Sequence, residues 1–427
     1  MDSTLHLVTV GNPQNPPLVL VHGLGPNGLA DWWKIIEALK EDYYILALDL
    51  PGFARSSLPN GRLSPENFAA VIRWLVQAHN LENVHLAGHS MGGAVALFYA
   101  AHYPEEVQRL TLIDVAGVLH RAAFVKSLVD IDQRNYSFLP DFVQRRAAQI
   151  LNMGDALVEK INLLPDFTEL LRASDIAWDA LLSDRPNTNA ALSLIGTDYS
   201  YLLERVSSPT TIIWGELDTV APLRTGYLLD HLINDSALHI IPGAGHVPLI
   251  SHSNRVIALL RKPVPSQPDV PSPSAQDSDA DLHCRGQTGA SYSGQYRHIV
   301  LDDCVNARLV DVQVKSLELR NSTAAIRGLT VVAEGSALRL DNSSIHLTAS
   351  ELRGAVALDM NASRIDMAGV LLQAGKVAIK VDATSVIVAS VSESQSPRYT
   401  GKLHGLVRTS NSVGEALSQL QSNARPL

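Results

Sequence analysis

The stretch Asn83–Gly93, NVHLAGHSMGG, decides how this chain is read. Its first half is a short apolar run, the pattern of a buried strand. Its second half holds Gly88-His89-Ser90-Met91-Gly92 and opens onto a helical pattern over Gly92–His102. A serine between two glycines, at the junction of a strand and a helix, is held in a tight, strained turn. The turn lifts its Oγ clear of the sheet edge at a helix N-terminus, where negative charge is favoured. Ser90 is therefore the candidate nucleophile.

Similar apolar runs flank this stretch on both sides: PPLVLVHG (16–23), YYILALDLPG (43–52), RLTLIDVAG (109–117), TTIIWGELD (210–218) and ALHIIPGAGH (237–246). Each ends in Gly, Asp or His, as buried parallel strands do before a loop. Helical patterns such as Pro65–Asn80 lie between several of them, and this alternation predicts a doubly wound α/β sheet. Residues 118–204 break the rhythm. They read as several helices, among them Asp141–Leu151 and Asp166–Ala173, and predict a helical cap inserted between two sheet strands.

A serine hydroxyl needs a base to become a nucleophile. His246, in GAGHVP after the last of these strands, is the candidate base. Asp218, in WGELDTVAP, is the candidate acid that orients it, with a helix expected to begin near Pro222. The order Ser90, Asp218, His246 suits a nucleophile on a strand–turn–helix elbow. Asp114, also at a strand end, is the rival acid. Donors for a developing oxyanion are expected from the backbone N–H groups of Leu24, in the loop His22-Gly23-Leu24-Gly25, and Met91. His22 and His89 are read as structural. No metal-ligand cluster, phosphate-cradling loop or redox cysteine pair is visible, so neither metal nor cofactor is expected.

The motifs VHGLG, DLPGFARSS, GHSMGG, WGELDTVAP and GAGHVP, in that order within residues 1–262, resemble the α/β-hydrolase superfamily. The resemblance implies the triad Ser90, Asp218 and His246, the oxyanion donors Leu24 and Met91, and a structural role for the Asp49–Ser57 loop. A serine nucleophile sets the chain apart from the dehalogenase and epoxide-hydrolase branches. The expected activity is hydrolysis of a small-molecule or lipid ester through an acyl-enzyme, as in carboxylesterases and lipases. Phe124, Phe138, Phe142, Leu163 and Phe167 could shape an acyl pocket in the cap. Arg121, Arg145, Arg146 and Arg172 keep a C–C bond hydrolase, or another acyl-transfer member, as the alternative. A binding protein with a vestigial hydrolase domain is the second alternative.

The rest of the chain has another character. Of its 427 residues 46% are hydrophobic and 18% charged, a globular balance. The net charge of −9 argues against nucleic acid as a partner. All 5 Trp and all 7 Phe lie at or before Trp214, and only Tyr292, Tyr296 and Tyr399 follow residue 262. Prolines and serines crowd 263–281, which reads as a linker.

From residue 316 a period of 20–21 residues sets in. Leu317, Leu338, Leu358 and Ile379 share one column; Leu319, Leu340, Met360 and Val381 a second; Ile326, Leu347, Met367 and Val388 a third; Ser322, Ser343, Ser363 and Thr384 a column of small residues. A weaker rung is expected over 297–315. Strand alternation within a fixed period predicts a parallel β-solenoid over 282–427, right-handed and β-helix-like. The repeats resemble pectate-lyase-like or adhesin-like rungs. Its scattered charges suggest no second catalytic centre, and its few aromatics weaken a sugar-binding reading. It is expected to be a structural or docking module, with a polymer or cell surface as the other partner to consider.

Asn321, Asn342 and Asn361, each in N-x-S/T, read as turn residues. Cys284 and Cys304 are one repeat apart and could bridge adjacent coils, which would argue for an oxidising compartment. No run is long and apolar enough to span a bilayer. The N-terminus lacks the basic and apolar regions of a secretory signal, so a cytoplasmic protein is the default expectation, with export left open.

Overall fold

The computed structural model describes residues 3–123, 174–262, 280–382, 384–409 and 415–424. The chain divides into two compact units. One comprises Met1–Thr197, Leu202–Gly226 and Ile233–Pro265; the other comprises Asp198–Tyr201, Tyr227–Leu232 and Ser266–Leu427.

The first unit is built on a seven-stranded sheet. Its strands are β1 (Leu7–Val10), β2 (Pro17–Val21), β3 (Tyr44–Leu48), β4 (Val84–His89), β5 (Val107–Ile113), β6 (Thr210–Gly215) and β7 (Ser236–Ile241), in the order β1-β3-β2-β4-β5-β6-β7. All neighbours run parallel except β1, which pairs antiparallel with β3. Leu18, Val19, Leu20 and Val21 are fully buried, as are Leu86, Ile212 and Ile213. Strands covered on both faces have no need to alternate, which is why they read as unbroken apolar runs. The antiparallel edge strand β1 is new relative to the sequence reading; its four residues are half-exposed and carry too weak a pattern.

The longer described helices before the second unit's strands are α1 (Trp33–Leu39), α2 (Pro65–Ala78), α3 (Met91–His102), α4 (Asp175–Leu182), α5 (Pro186–Leu194), α6 (Arg224–Leu232) and α7 (Ser253–Arg261). In α2, Ser64 caps the helix by accepting the Asn67 N–H at 3.2 Å, and Pro65 sits where its missing donor costs nothing. Phe68, Ala69, Ile72, Leu75 and Val76 form its buried stripe. The helix expected near Pro222 begins at Arg224. Of the cap, only α4, α5 and adjoining loops are described. The segments Asp141–Leu151 and Asp166–Ala173 lie outside the described residues, as do Phe124, Phe138, Phe142, Leu163, Phe167, Arg145, Arg146 and Arg172.

The second unit is all-β, coiled so that each segment pairs in parallel with the segment one turn later. Its strands are β8 (Leu282–Arg285), β9 (Ser291–Asp302), β10 (Ala307–Arg320), β11 (Thr323–Arg327), β12 (Thr330–Val332), β13 (Ser336–Asp341), β14 (Ser344–Asn361), β15 (Arg364–Val381), β16 (Val386–Gln395) and β17 (Thr400–Arg408). Leu317, Leu338, Leu358 and Ile379 stand in register, as do Leu319, Leu340, Met360 and Val381. Both columns are buried in one aliphatic core.

Three features differ from the sequence expectation. The rung expected over 297–315 is preceded by another, within the bounds expected for the solenoid: Leu282 pairs with Ile299 and Ile299 with Leu317, so β8 and β9 already belong to the stack. The last coil holds an extra residue, so Met367 pairs with Ala389, not Val388, and Ser385, not Thr384, receives the Ser363 N–H at 3.1 Å. Finally β17 turns back antiparallel to β16, and Leu420 of a last helix, α8 (Glu415–Leu420), is buried in the core.

Candidate active site

The site lies at the C-terminal ends of the sheet strands, where open α/β sheets place their clefts. Ser90 follows β4 with φ +53°, a left-handed conformation that a non-glycine residue adopts only under constraint. The constraint is crowding. A Cβ on Gly92 would stand 2.2 Å from the Val21 carbonyl oxygen and 2.5 Å from that of His22. Glycine there lets α3 press against the end of β2. The Ser90 N–H donates to the Ile113 carbonyl at 2.9 Å and ties the turn to β5.

His246 Nε2 and Ser90 Oγ are 2.9 Å apart, and His246 Nδ1 and Asp218 Oδ2 are 2.8 Å apart. Asp218 Oδ1 accepts the N–H groups of Val220 at 2.7 Å and Ala221 at 3.0 Å, so its second oxygen is aimed at the imidazole. The Asp218 side chain is fully buried and that of His246 is 14% exposed, which leaves a route for substrate to the base. Trp214 Nε1 anchors the loop by donating to the Ala221 carbonyl at 3.0 Å. Gly215 permits the next approach: a Cβ there would lie 2.3 Å from the Gly245 carbonyl oxygen, so the GAGH loop packs directly over the end of β6. The structure thus brings together Ser90, Asp218 and His246, and places Asp218, not Asp114, on the imidazole.

Met91 is the first residue of α3, where a backbone N–H has no partner within the helix. Leu24 follows Gly23, whose added Cβ would sit 3.0 Å from Ser90 Cβ. Both expected oxyanion donors therefore belong to backbone immediately around the nucleophile.

The remaining histidines near the site serve the scaffold. His22 is buried, donates from Nδ1 to the Gly23 carbonyl at 2.7 Å and accepts the Leu50 N–H at Nε2 at 2.9 Å; burial lowers its pKa. His89, read as structural, also bonds the backbone of the base: its Nε2 donates to the His246 carbonyl at 2.7 Å. Its burial, reinforced by the neighbouring His246, depresses its pKa to about 3. No sequence spacing announces this bond, because the two residues are 157 positions apart. Asp49 organises the DLPGFARSS loop by accepting the Leu29 N–H at 2.7 Å and bonding His6 Nδ1 at 2.8 Å. Arg121 is half-buried near the start of the cap.

Comparison with known proteins agrees with this architecture. The family described as alpha/beta hydrolase fold matches residues 16–253. Lipase 1 of Psychrobacter immobilis is 30% identical over 246 residues, 56% of this chain and 74% of that protein. Lipase 3 of Moraxella sp. (strain TA144) is 29% identical over 245 residues, again 56% and 74%. The 2-hydroxy-6-oxo-2,4-heptadienoate hydrolase of Pseudomonas putida is 28% identical over 272 residues, 61% of this chain and 91% of that enzyme. The chain, through its first unit, belongs to the α/β-hydrolase fold family.

Proposed function

We propose that this hydrolase cleaves carboxylic esters through an acyl-enzyme formed on Ser90. The observation that carries the reading is the unbroken chain from Ser90 Oγ to His246 Nε2, and from His246 Nδ1 to Asp218 Oδ2. Ser90 Oγ attacks the ester carbonyl carbon while His246 Nε2 takes its proton. The carbonyl oxygen becomes an oxyanion, met by the N–H groups of Leu24 and Met91. Asp218 keeps the imidazole in the Nδ1–H tautomer and stabilises its cation. Collapse of the intermediate expels the alcohol, which recovers the proton from His246. Water, activated by the same base, then releases the acid and restores Ser90.

The similarity to two lipases supports an ester substrate. The similarity to a heptadienoate hydrolase supports a second reading, C–C bond hydrolysis by the same residues. A panel of short- and medium-chain nitrophenyl esters beside a meta-cleavage-type dienoate separates the two. Ser90→Ala is expected to lose at least about a thousandfold in kcat, as loss of such a nucleophile does. Equal turnover by wild type and Ser90→Ala would end the assignment. Inertness of wild type toward a fluorophosphonate probe would favour a vestigial hydrolase domain instead.

For the solenoid we propose a structural or targeting role. Part of its outward charge is stacked with alternating sign: Glu318, Arg339, Asp359 and Lys380 stand in one register column. Lys380 Nζ lies 3.3 Å from Asp359 Oδ2. Charges satisfied along their own ladder favour a solvated supporting face over a polar ligand groove.

A further inference from the structure

Asn189, on α5, is a buried polar residue that the chain of bonds above does not use. Its Oδ1 accepts the Leu63 N–H at 2.9 Å and the Trp178 Nε1–H at 3.1 Å. Its Nδ2 donates to the Gly61 carbonyl at 3.0 Å. One carboxamide therefore joins three segments: the connection between β3 and α2, helix α4 and helix α5. An apolar residue in its place would strand two donors and a carbonyl. Arg62, between the two bonded backbone groups, strengthens the joint. Its guanidinium carbon lies 4.9 Å from the centroid of the Trp178 ring, and its Nη2 lies 2.8 Å from Asp175 Oδ1 on α4.

The joint matters because of what α5 crosses. At the first residue of α5, Pro186 packs on the loop after β3: a Cβ on Gly52 would lie 3.2 Å from Pro186 Cβ. At its last residue, Leu194 packs on the loop after β5: a Cβ on Gly117 would lie 2.5 Å from Leu194 Cγ. Between β3 and β5 the sheet holds β2 and β4. Three strand spacings come to about 14 Å. The nine residues of α5 rise about as far. The helix thus bridges the two loops and passes over the strand ends that carry Leu24 and Ser90. Its far end is one residue from the nucleophile's own support, because Ala116, beside Gly117, donates its N–H to the Ser90 carbonyl at 3.4 Å. Nine residues do not hold a helix by themselves, and no side chain caps the first turn of α5. Its position depends on its tertiary contacts, and Asn189 supplies the polar ones between its two ends.

We propose that Asn189 is a positioning residue that pins α5 over the candidate site, and that the pinned helix sets the wall met by the apolar chain of an ester. The inference rests on the serine-hydrolase reading and gives that site a determinant of chain length. Ala190, Leu192 and Leu194 make the covered side of α5 apolar, as a wall for a hydrocarbon chain requires. Ser90 keeps supports that do not involve α5, namely the Ile113 carbonyl and the close packing at Gly92. A displaced α5 should therefore weaken binding of longer chains and leave the chemical step nearly intact.

The test uses the full chain with nitrophenyl acetate and nitrophenyl octanoate. Asn189→Leu is close in size and removes all three bonds. Trp178→Phe keeps a ring on α4 and removes one donor. Asn189→Leu should raise KM for the octanoate about tenfold, with KM for the acetate and both kcat values within about threefold of wild type. Trp178→Phe should raise KM for the octanoate by about threefold. The double variant should be no worse than Asn189→Leu, because the indole bond is already lost in it. If Asn189→Leu does not fold, Trp178→Phe, which leaves the Leu63 bond in place, decides by its own KM values.

A second readout needs no activity. Hydrogen exchange at the Leu63 amide should quicken at least about tenfold in Asn189→Leu, while the Ser90 amide keeps its wild-type rate. An unchanged KM for the octanoate, an equal rise for both esters, fully multiplicative effects in the double variant, or an unchanged Leu63 exchange rate would each overturn the proposal. Failure of wild type to react with a fluorophosphonate would instead strike the parent reading, and the exchange rates would still judge the pin.

Discussion

A serine with φ +53° is an expense that the fold must support from outside the residue. Gly92 is part of that support, and a Cβ there would overlap two carbonyl oxygens of the β2 end. Gly92→Ala is therefore expected to destabilise the first unit by about 3 kcal/mol, at the upper end of overpacking costs, and to lose activity with it. Thermal melting and fluorophosphonate labelling check this together; a variant that melts like wild type would refute the steric account. His89 makes a different prediction. It holds the His246 carbonyl but stays uncharged, so His89→Leu should lower kcat/KM by about tenfold without moving either limb of the pH profile. It also affects acid stability. The unfolded chain binds a proton at this residue below about pH 6.5, which the folded chain refuses until about pH 3. Stability thus drops as pH falls through that window, and His89→Leu should flatten part of the drop in a series of denaturation midpoints. At this scale the candidate nucleophile, base and acid could be read from the chain because motif spacing carries them. The His89–His246 contact could not, because it joins residues 157 positions apart that only the closed sheet brings together.

Among the elements, the strands of both units were legible for opposite reasons. Those of the sheet are apolar throughout, and those of the solenoid alternate within a period. The small-residue column also has a physical cause. The Cys304 N–H donates to Ser322 Oγ, Ser322 N–H to Ser343 Oγ, Ser343 N–H to Ser363 Oγ and Ser363 N–H to Ser385 Oγ, at 2.9–3.1 Å. Each hydroxyl satisfies a buried donor one coil away, so the column follows hydrogen-bond geometry and not a fixed count of residues. This is why it passes from Thr384 to Ser385 when the last coil gains a residue. Just before this ladder stands a left-handed turn position, held by Asp303, Asn321, Asn342 and Ala362 with φ between +45° and +54°. Asparagine adopts that conformation at less cost than alanine. Ala362→Asn is expected to stabilise the solenoid by about 0.5–1 kcal/mol. A guanidinium midpoint at or below that of wild type would count against it.

At the scale of the whole molecule, the uneven distribution of aromatics follows from what each unit must fill. Trp32, Trp178 and Trp214 are fully buried in the first, whereas the coil interior of the second is stacked Leu, Ile, Val, Met and Ala. A narrow coil also needs closed ends, because an end rung has a neighbour on one side only. At the C-terminal end β17 and Leu420 cover the core. At the other end Cys284 and Cys304 are bonded, with both residues buried. Closing a loop with a sequence separation of 20 stabilises by about 3 kcal/mol through restriction of the unfolded chain. Neither cysteine belongs to the unit that holds Ser90, Asp218 and His246. Reduction should therefore lower the stability of the solenoid by that order while leaving kcat for a soluble ester unchanged at 25 °C. Calorimetry and ester turnover, each with and without a thiol reductant, measure the two effects side by side. A kcat that falls in step with reduction would give the solenoid a part in the chemistry. A melting profile indifferent to reductant would remove the disulfide as the end staple, and with it the argument that the protein works in an oxidising compartment.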